Sequence, residues 1–192
     1  MAEGATQQIL PTVIGFASRL AIAAPLLKRA GLSPSVLAIP QKRISAASQG
    51  KFLEYAAEAL DDSAFGLHLA EGANPRITGL LFYAMSAAKT LGEALKLLTR
   101  YSRIVNDSVR LKLERRGDGV VAEINYVGVS RHQARQFTEF GVAHTLRCFR
   151  EIAGRNIKPV RVSCGHWRNA DLREFERYYG CLLYTSPSPR DS

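Results

Sequence analysis

Two histidine–cysteine pairs are the residues of this chain best equipped for chemistry. His144 and Cys148 lie four apart in a segment of helical periodicity, and Cys164 and His166 lie two apart in a segment of period-two alternation. Residues at i and i+4 share a helix face, and residues at i and i+2 share a strand face. Two imidazoles and two thiols that converge in this way form the ligand set of a tetrahedral zinc site. The same side chains also suit a core, because His144 and Cys148 fall on an apolar arc with Phe137, Gly141 and Ile152. Packing is the stronger reading, and no metal is expected. A Cys–His nucleophile is weaker still, since nothing flanking either cysteine marks a helix N-terminus that would lower its thiol pKa. Gly117-Asp118-Gly119 reads as a turn rather than a phosphate loop, and Glu54, Glu58, Asp61 and Asp62 read as a solvated face and a cap. No catalytic residue, no cofactor and no enzymatic activity are expected.

The elements that position these residues follow from periodicity and from start and stop signals. A helix near Phe16 to Ala30 stops at Gly31, and Pro34 and Pro40 punctuate the loop behind it. A second helix, Ser48 to Leu60, carries Phe52, Leu53, Ala56 and Leu60 on one face; Asp61, Asp62 and Ser63 break it and cap a short helix with Phe65, Leu67 and Leu69. Ile77 to Ala88 reads as one buried helix. Thr90 and Glu93 make a capping box, and behind it Leu91, Ala94, Leu95, Leu98, Tyr101 and Val105 recur at helical spacing, with Glu93, Lys96, Arg100 and Arg103 on the opposite arc.

The period then shortens to two. Val109, Leu111 and Leu113 alternate with Arg110, Lys112 and Glu114, the turn follows, and Ala122, Ile124 and Tyr126 share a face of the returning strand: a β-hairpin. Ser130 and Gln133 form a second capping-box pair for a long helix through Ile152, stopped at Gly154. Pro159 to His166 reads as a strand with Val160, Val162, Cys164 and His166 facing one way, and Asn169 or Asp171 opens a last helix with Leu172, Phe175 and Tyr179. The expected class is α+β: N-terminal helices, then a β-hairpin within an antiparallel or mixed sheet packed by amphipathic helices.

The long helix has a second apolar stripe, Val142, Leu146 and Phe149, which either buries inside the fold or packs on a partner subunit. Those three residues are the candidate dimer interface. Arg131, Arg135, Arg147 and Arg150 occupy its remaining face, interrupted by Glu139 and Glu151, and read as solvated surface rather than a phosphate-binding stripe. Tyr83, Tyr101, Tyr126, Arg147 and Trp167 could line a pocket, but none is assigned to a ligand.

The formal net charge of +9 fits nucleic-acid or acidic partners and equally an arginine-rich proteome, so it decides little. Cys181 to Asp191 reads like the translation of a transposon-end sequencing adapter and is set aside. The remaining Cys148 and Cys164 make no disulfide framework, and no signal peptide or membrane span is recognisable; a cytoplasmic protein is expected. The expected organisation is a flexible N-terminus over 1–15, one domain over 16–180, and an artefactual or disordered tail over 181–192.

An ordered set of short motifs gives this layout a family likeness. Ala30-Gly31-Leu32, Pro40-Gln41-Lys42-Arg43-Ile44, Asp62-Ser63-Ala64-Phe65-Gly66-Leu67, Thr90-Leu91-Gly92-Glu93-Ala94-Leu95, Arg100-Tyr101, the hairpin, Pro159 to His166 and Tyr179-Gly180 succeed one another over most of Leu20 to Gly180. Together they resemble the amino-terminal arabinose-binding-type domain of AraC-family transcriptional regulators, in the branch typified by ornithine-utilisation regulators. The resemblance implies a domain that senses a small-molecule effector, dimerises, and controls promoter DNA through a carboxy-terminal helix-turn-helix pair of about a hundred residues. That pair has no counterpart in this sequence, so the chain is expected to be a fragment whose sensor domain is itself incomplete. A stand-alone ligand-binding or protein-interaction module is the alternative.

Overall fold

The computed structural model describes residues 5–6, 23–37, 43–129, 134–166 and 172–185. Its first helix, α1 (Ala23–Arg29), buries Leu26 and Leu27 and ends at Gly31, whose φ of 73° is the left-handed stop that glycine tolerates. The expected start of this helix at Phe16 lies outside the described residues, as do the Ser130–Gln133 capping box, Trp167 and the Asn169 and Asp171 helix starts. A short strand β1 (Ala5–Thr6), inside the expected flexible N-terminus, pairs antiparallel with β2 (Ile44–Ser45).

Ser45 then caps α2 (Ala46–Ala59) by accepting from the Ser48 amide, and Phe52, Leu53 and Ala56 form its fully buried face. Asp62 Oδ1 accepts from the Ala64 amide at 3.0 Å in a turn just ahead of α3 (Phe65–Gly72), whose N-cap is Ala64 and which carries no side-chain cap bond, in place of the expected cap. The single buried helix expected over Ile77 to Ala88 is instead two pieces. Asn74 caps a 3-10 turn over Pro75–Thr78, and Gly79, at φ 67°, breaks the path before α4 (Leu80–Ser86). The break rotates α4, so that Leu81, Phe82 and Met85 are buried while Leu80 is 88% and Tyr83 56% exposed.

Thr90 Oγ1 accepts from the Glu93 amide at 3.1 Å and starts α5 (Leu91–Val105), while the Glu93 carboxylate reaches back to the Lys89 amide at 2.9 Å. The hairpin of β3 (Val109–Arg116) and β4 (Gly119–Tyr126) pairs Leu111 with Ile124 and Leu113 with Ala122, so its apolar face is continuous. Gly117 supplies the positive φ, 57°, at the first central position of its two-residue turn.

The long helix α6 (Arg135–Ala153) ends on left-handed Gly154. Behind it come β5 (Val162–Cys164), α7 (Arg173–Tyr179) and β6 (Leu183–Thr185), a crossover that makes β5 and β6 parallel. β5 is shorter than the expected Pro159 to His166 strand: Val162, Cys164 and His166 are buried, but Val160 is 99% exposed. Leu183 is buried, so the described fold runs past Gly180 into residues that the sequence reading set aside as tail. The class is mixed α+β, with three two-stranded pairings among the described residues.

One core cluster gathers α1, α2, α3, α6, β5, α7 and β6 around Leu27, Phe52, Phe65, Phe137, Phe140, Phe175 and Tyr179. A second, around Leu81, Met85, Ala94, Leu98 and Phe149, joins α4 and α5 to the far half of α6. The long helix thus serves both. No helix among the described residues is long and apolar enough to cross a membrane.

Candidate functional site

A groove of about 1140 Å³ runs between the hairpin, α6 and the β5 segment. Its geometry follows from how the hairpin is pinned. At one place Leu111 packs on the second core cluster beside α5. At another, the Tyr126 ring lies 4.6 Å from that of Phe137, and its hydroxyl occupies the space over Gly141 where any Cβ would collide. Ala122 and Ile124, between these two points, line the groove. Burial pushes the Tyr126 hydroxyl above the ordinary tyrosine range, so it is a neutral hydrogen-bonding group.

The α6 wall of the groove is Thr138, Val142, Thr145, Leu146 and Phe149. All three residues of the candidate dimer stripe therefore stand together on one wall: Phe149 is buried, and Val142 and Leu146 are half-buried beside the first core cluster. Cys164, His166 and Tyr179 also line the groove. There His166 Nε2 and Glu139 Oε1 meet at 2.9 Å with almost no exposure of either side chain. Tyr179 is 1% exposed, and its hydroxyl has no hydrogen-bond partner among the described residues. Burial above all, then the proximity of Cys164, Tyr178 and Glu139, drives the Tyr179 hydroxyl well above its usual pKa and keeps it protonated.

The two His–Cys pairs go different ways. His144 and Cys148 pack against the Pro75–Thr78 turn: His144 Nε2 is 3.2 Å from Thr78 Oγ1, and Cys148 Sγ is 3.8 Å from the same oxygen. The His144 ring stacks on Phe140 with centroids 5.2 Å apart. Cys164 and His166 face Glu139 and the groove instead. Among the described residues no three His, Cys, Asp or Glu side chains are placed to hold a metal ion. Burial lowers the His144 pKa to about 4, helped by the Arg147 charge. Burial also raises the Cys148 thiol to about 11, the opposite of what a nucleophile needs.

Two surface assignments are corrected. Arg150 is no solvated arginine: its Nε donates to the Ile157 carbonyl at 2.9 Å and its Nη2 to the Tyr178 carbonyl at 2.8 Å, clamping the end of α6 to α7. Arg135 and Arg147 are likewise half-buried, while Arg131 lies outside the described residues. Glu54 does not sit on a solvated face either. Its Oε1 accepts from the Gln136 amide at 2.6 Å and caps α6 from another helix, and burial raises its pKa despite that bond.

Of the five possible pocket residues, Tyr126 lines the groove, whereas Tyr83 is exposed and Tyr101 belongs to the second core cluster. Sequence reasoning missed Glu139, His166 and Tyr179 as a group. A signal existed: Glu139 falls on the arc of Gln136, Ala143 and Leu146, and a carboxylate within a buried arc asks for a partner.

Comparison with known proteins places the chain. The arabinose-binding domain of AraC transcription regulators, an N-terminal domain, matches residues 22–188, and the chain belongs to this family. An ornithine utilization regulator of Pseudomonas aeruginosa is 29% identical over 160 residues, which cover 81% of this chain and 46% of that protein. The crystal structure of the transcriptional regulator CdpR from the same organism shares the fold, with a TM-score of 0.56 at 18% identity over 88% of this chain and 52% of that one. The chain spans about half the length of the relatives it matches.

Proposed function

We propose that this chain is the effector-sensing part of an AraC-type transcription regulator and that the effector binds in the groove between the hairpin and α6. The observation that carries the site is the groove's position: its wall is the one helix among the described residues that both core clusters share. A ligand that draws the hairpin toward Val142 and Leu146 would shift the packing of both clusters through α6. Such a switch needs only different affinity for two arrangements. In the whole regulator, promoter DNA is read by a carboxy-terminal helix-turn-helix pair, not by this domain. The regulator works in the cytoplasm as a homodimer, and it has no catalytic or cofactor role.

We also keep Val142, Leu146 and Phe149 as the proposed dimer contact, so that wall and interface would be two roles for the same residues. Melting curves of this chain against a panel of amino acids, organic acids and ketones test the effector reading. A true effector at a hundredfold excess over its Kd should raise Tm by about 5 °C or more. Leu146→Glu should abolish that rise. A ligand that stabilises the Leu146→Glu variant equally would place the effector elsewhere.

A further inference from the structure

We propose that His68 is a pH-sensitive latch: its doubly protonated ring ties the start of α7 to the corner between α2 and α3, and loss of one proton releases Glu174. The ring stands between two carboxylates, with Nδ1 2.8 Å from Asp62 Oδ2 and Nε2 3.2 Å from Glu174 Oε2. Asp62 sits in the turn ahead of α3, and Glu174 lies in the first turn of α7. An ionised carboxylate only accepts, and a neutral imidazole has a single N–H. The neutral ring therefore donates to one carboxylate and turns a lone pair toward the other. Only the imidazolium satisfies both.

Asp62 is the partner that keeps its bond in either state. Its other oxygen, Oδ1, already accepts from the Ala64 amide at 3.0 Å, which fixes the carboxylate toward the ring. Deprotonation then falls on Nε2 and turns the Glu174 contact from attraction to repulsion. The charged groups that act on the ring are Asp62 before α3, Glu71 on α3 and Glu174 on α7. Partial burial pulls the His68 pKa down, but the Asp62 bond and these three charges outweigh it and hold the value above the ordinary 6.5. The latch is closed below 6.5 and opens as pH rises through the higher folded value. The far end of α7 is pinned separately: Arg150 Nη2 donates to the Tyr178 carbonyl at 2.8 Å, and the Tyr178 hydroxyl donates to the Ala143 carbonyl at 2.8 Å. Release of Glu174 thus frees the first turn and leaves the helix docked.

The test follows the His68 ring protons of the 192-residue chain by NMR from about pH 5 to 9, the resonance being assigned by its loss in His68→Gln. The wild-type midpoint should lie above 6.5. Glu174→Gln should lower it by about half a pH unit, the scale of one exposed ion pair, and Asp62→Asn should lower it as well. Nuclear Overhauser contacts between the His68 ring and the Glu174 methylenes should be present at about pH 5.5 and lost at about pH 9, on either side of the ring's titration. Those between the Tyr178 ring and Ala143 should persist at both. The wild-type midpoint and the ring contacts do not depend on the folding of a variant. A midpoint at or below 6.5, a midpoint that ignores Glu174→Gln, or Glu174 contacts that survive at high pH would overturn the latch.

Discussion

His144 shows what burial does to a residue that looked reactive. Its ring stacks on Phe140 and its Nε2 meets Thr78, and burial holds its pKa at about 4 against an ordinary value of 6.5. The unfolded chain therefore binds a proton that the native chain refuses throughout the interval between those values. Stability from this group is complete above the unfolded pKa and is lost as pH falls toward the folded one, on the order of 3 kcal/mol in all. Urea unfolding of wild type and His144→Leu from about pH 4 to 7 should show a steeper acid loss for the wild type. Parallel curves would mean that the ring titrates normally. The sequence placed His144 and Cys148 on a packed arc, and the structure agrees. It could not reveal Thr78 as their neighbour, because a contact between residues 78 and 144 leaves no trace in local periodicity.

At the scale of elements, the crossing of α3 and α6 has the tightest tolerance. The Gly66 amide donates to Gln136 Oε1 at 2.7 Å, Gln136 Nε2 donates to the Ser63 carbonyl at 2.9 Å, and a Cβ on Gly66 would strike the Gln136 backbone carbonyl. The obstacle is backbone and cannot swing aside. Gly66→Ala should cost about 1–3 kcal/mol or more in chemical unfolding, even though alanine is the better helix former. A neutral or stabilising result would show that the two helices are farther apart than described. The Thr90–Glu93 capping box, the hairpin and the glycine stops were readable because each is local chemistry. The cap on α6 was not, since its acceptor, Glu54, comes from a helix more than seventy residues upstream.

For the whole molecule, the organising fact is that α6 belongs to both core clusters and walls the groove. The proposed effector site and the proposed dimer contact therefore call on the same stripe. Sedimentation of wild type and Phe149→Glu separates these roles: a dimer that falls to monomer in the variant supports the interface, and an unchanged mass assigns the stripe to the groove. Phe149 also packs in the second cluster, so a melting curve should accompany the mass, with a loss of about 3–5 kcal/mol expected on burial grounds.

Composition, periodicity and cap residues alone determined the α+β class, the hairpin and most of the helices. They suffice because an amphipathic helix or a two-residue turn is decided within a few residues of chain. Tertiary structure alone decided that Ile77 to Ala88 breaks at Gly79, that Arg150 clamps α7, that Leu183 joins β5, and that Val142, Leu146, Phe149 and Tyr179 surround one groove. Each of these depends on which distant surface arrives to cover a side chain or accept its hydrogen bond, and a linear pattern carries no record of that arrival.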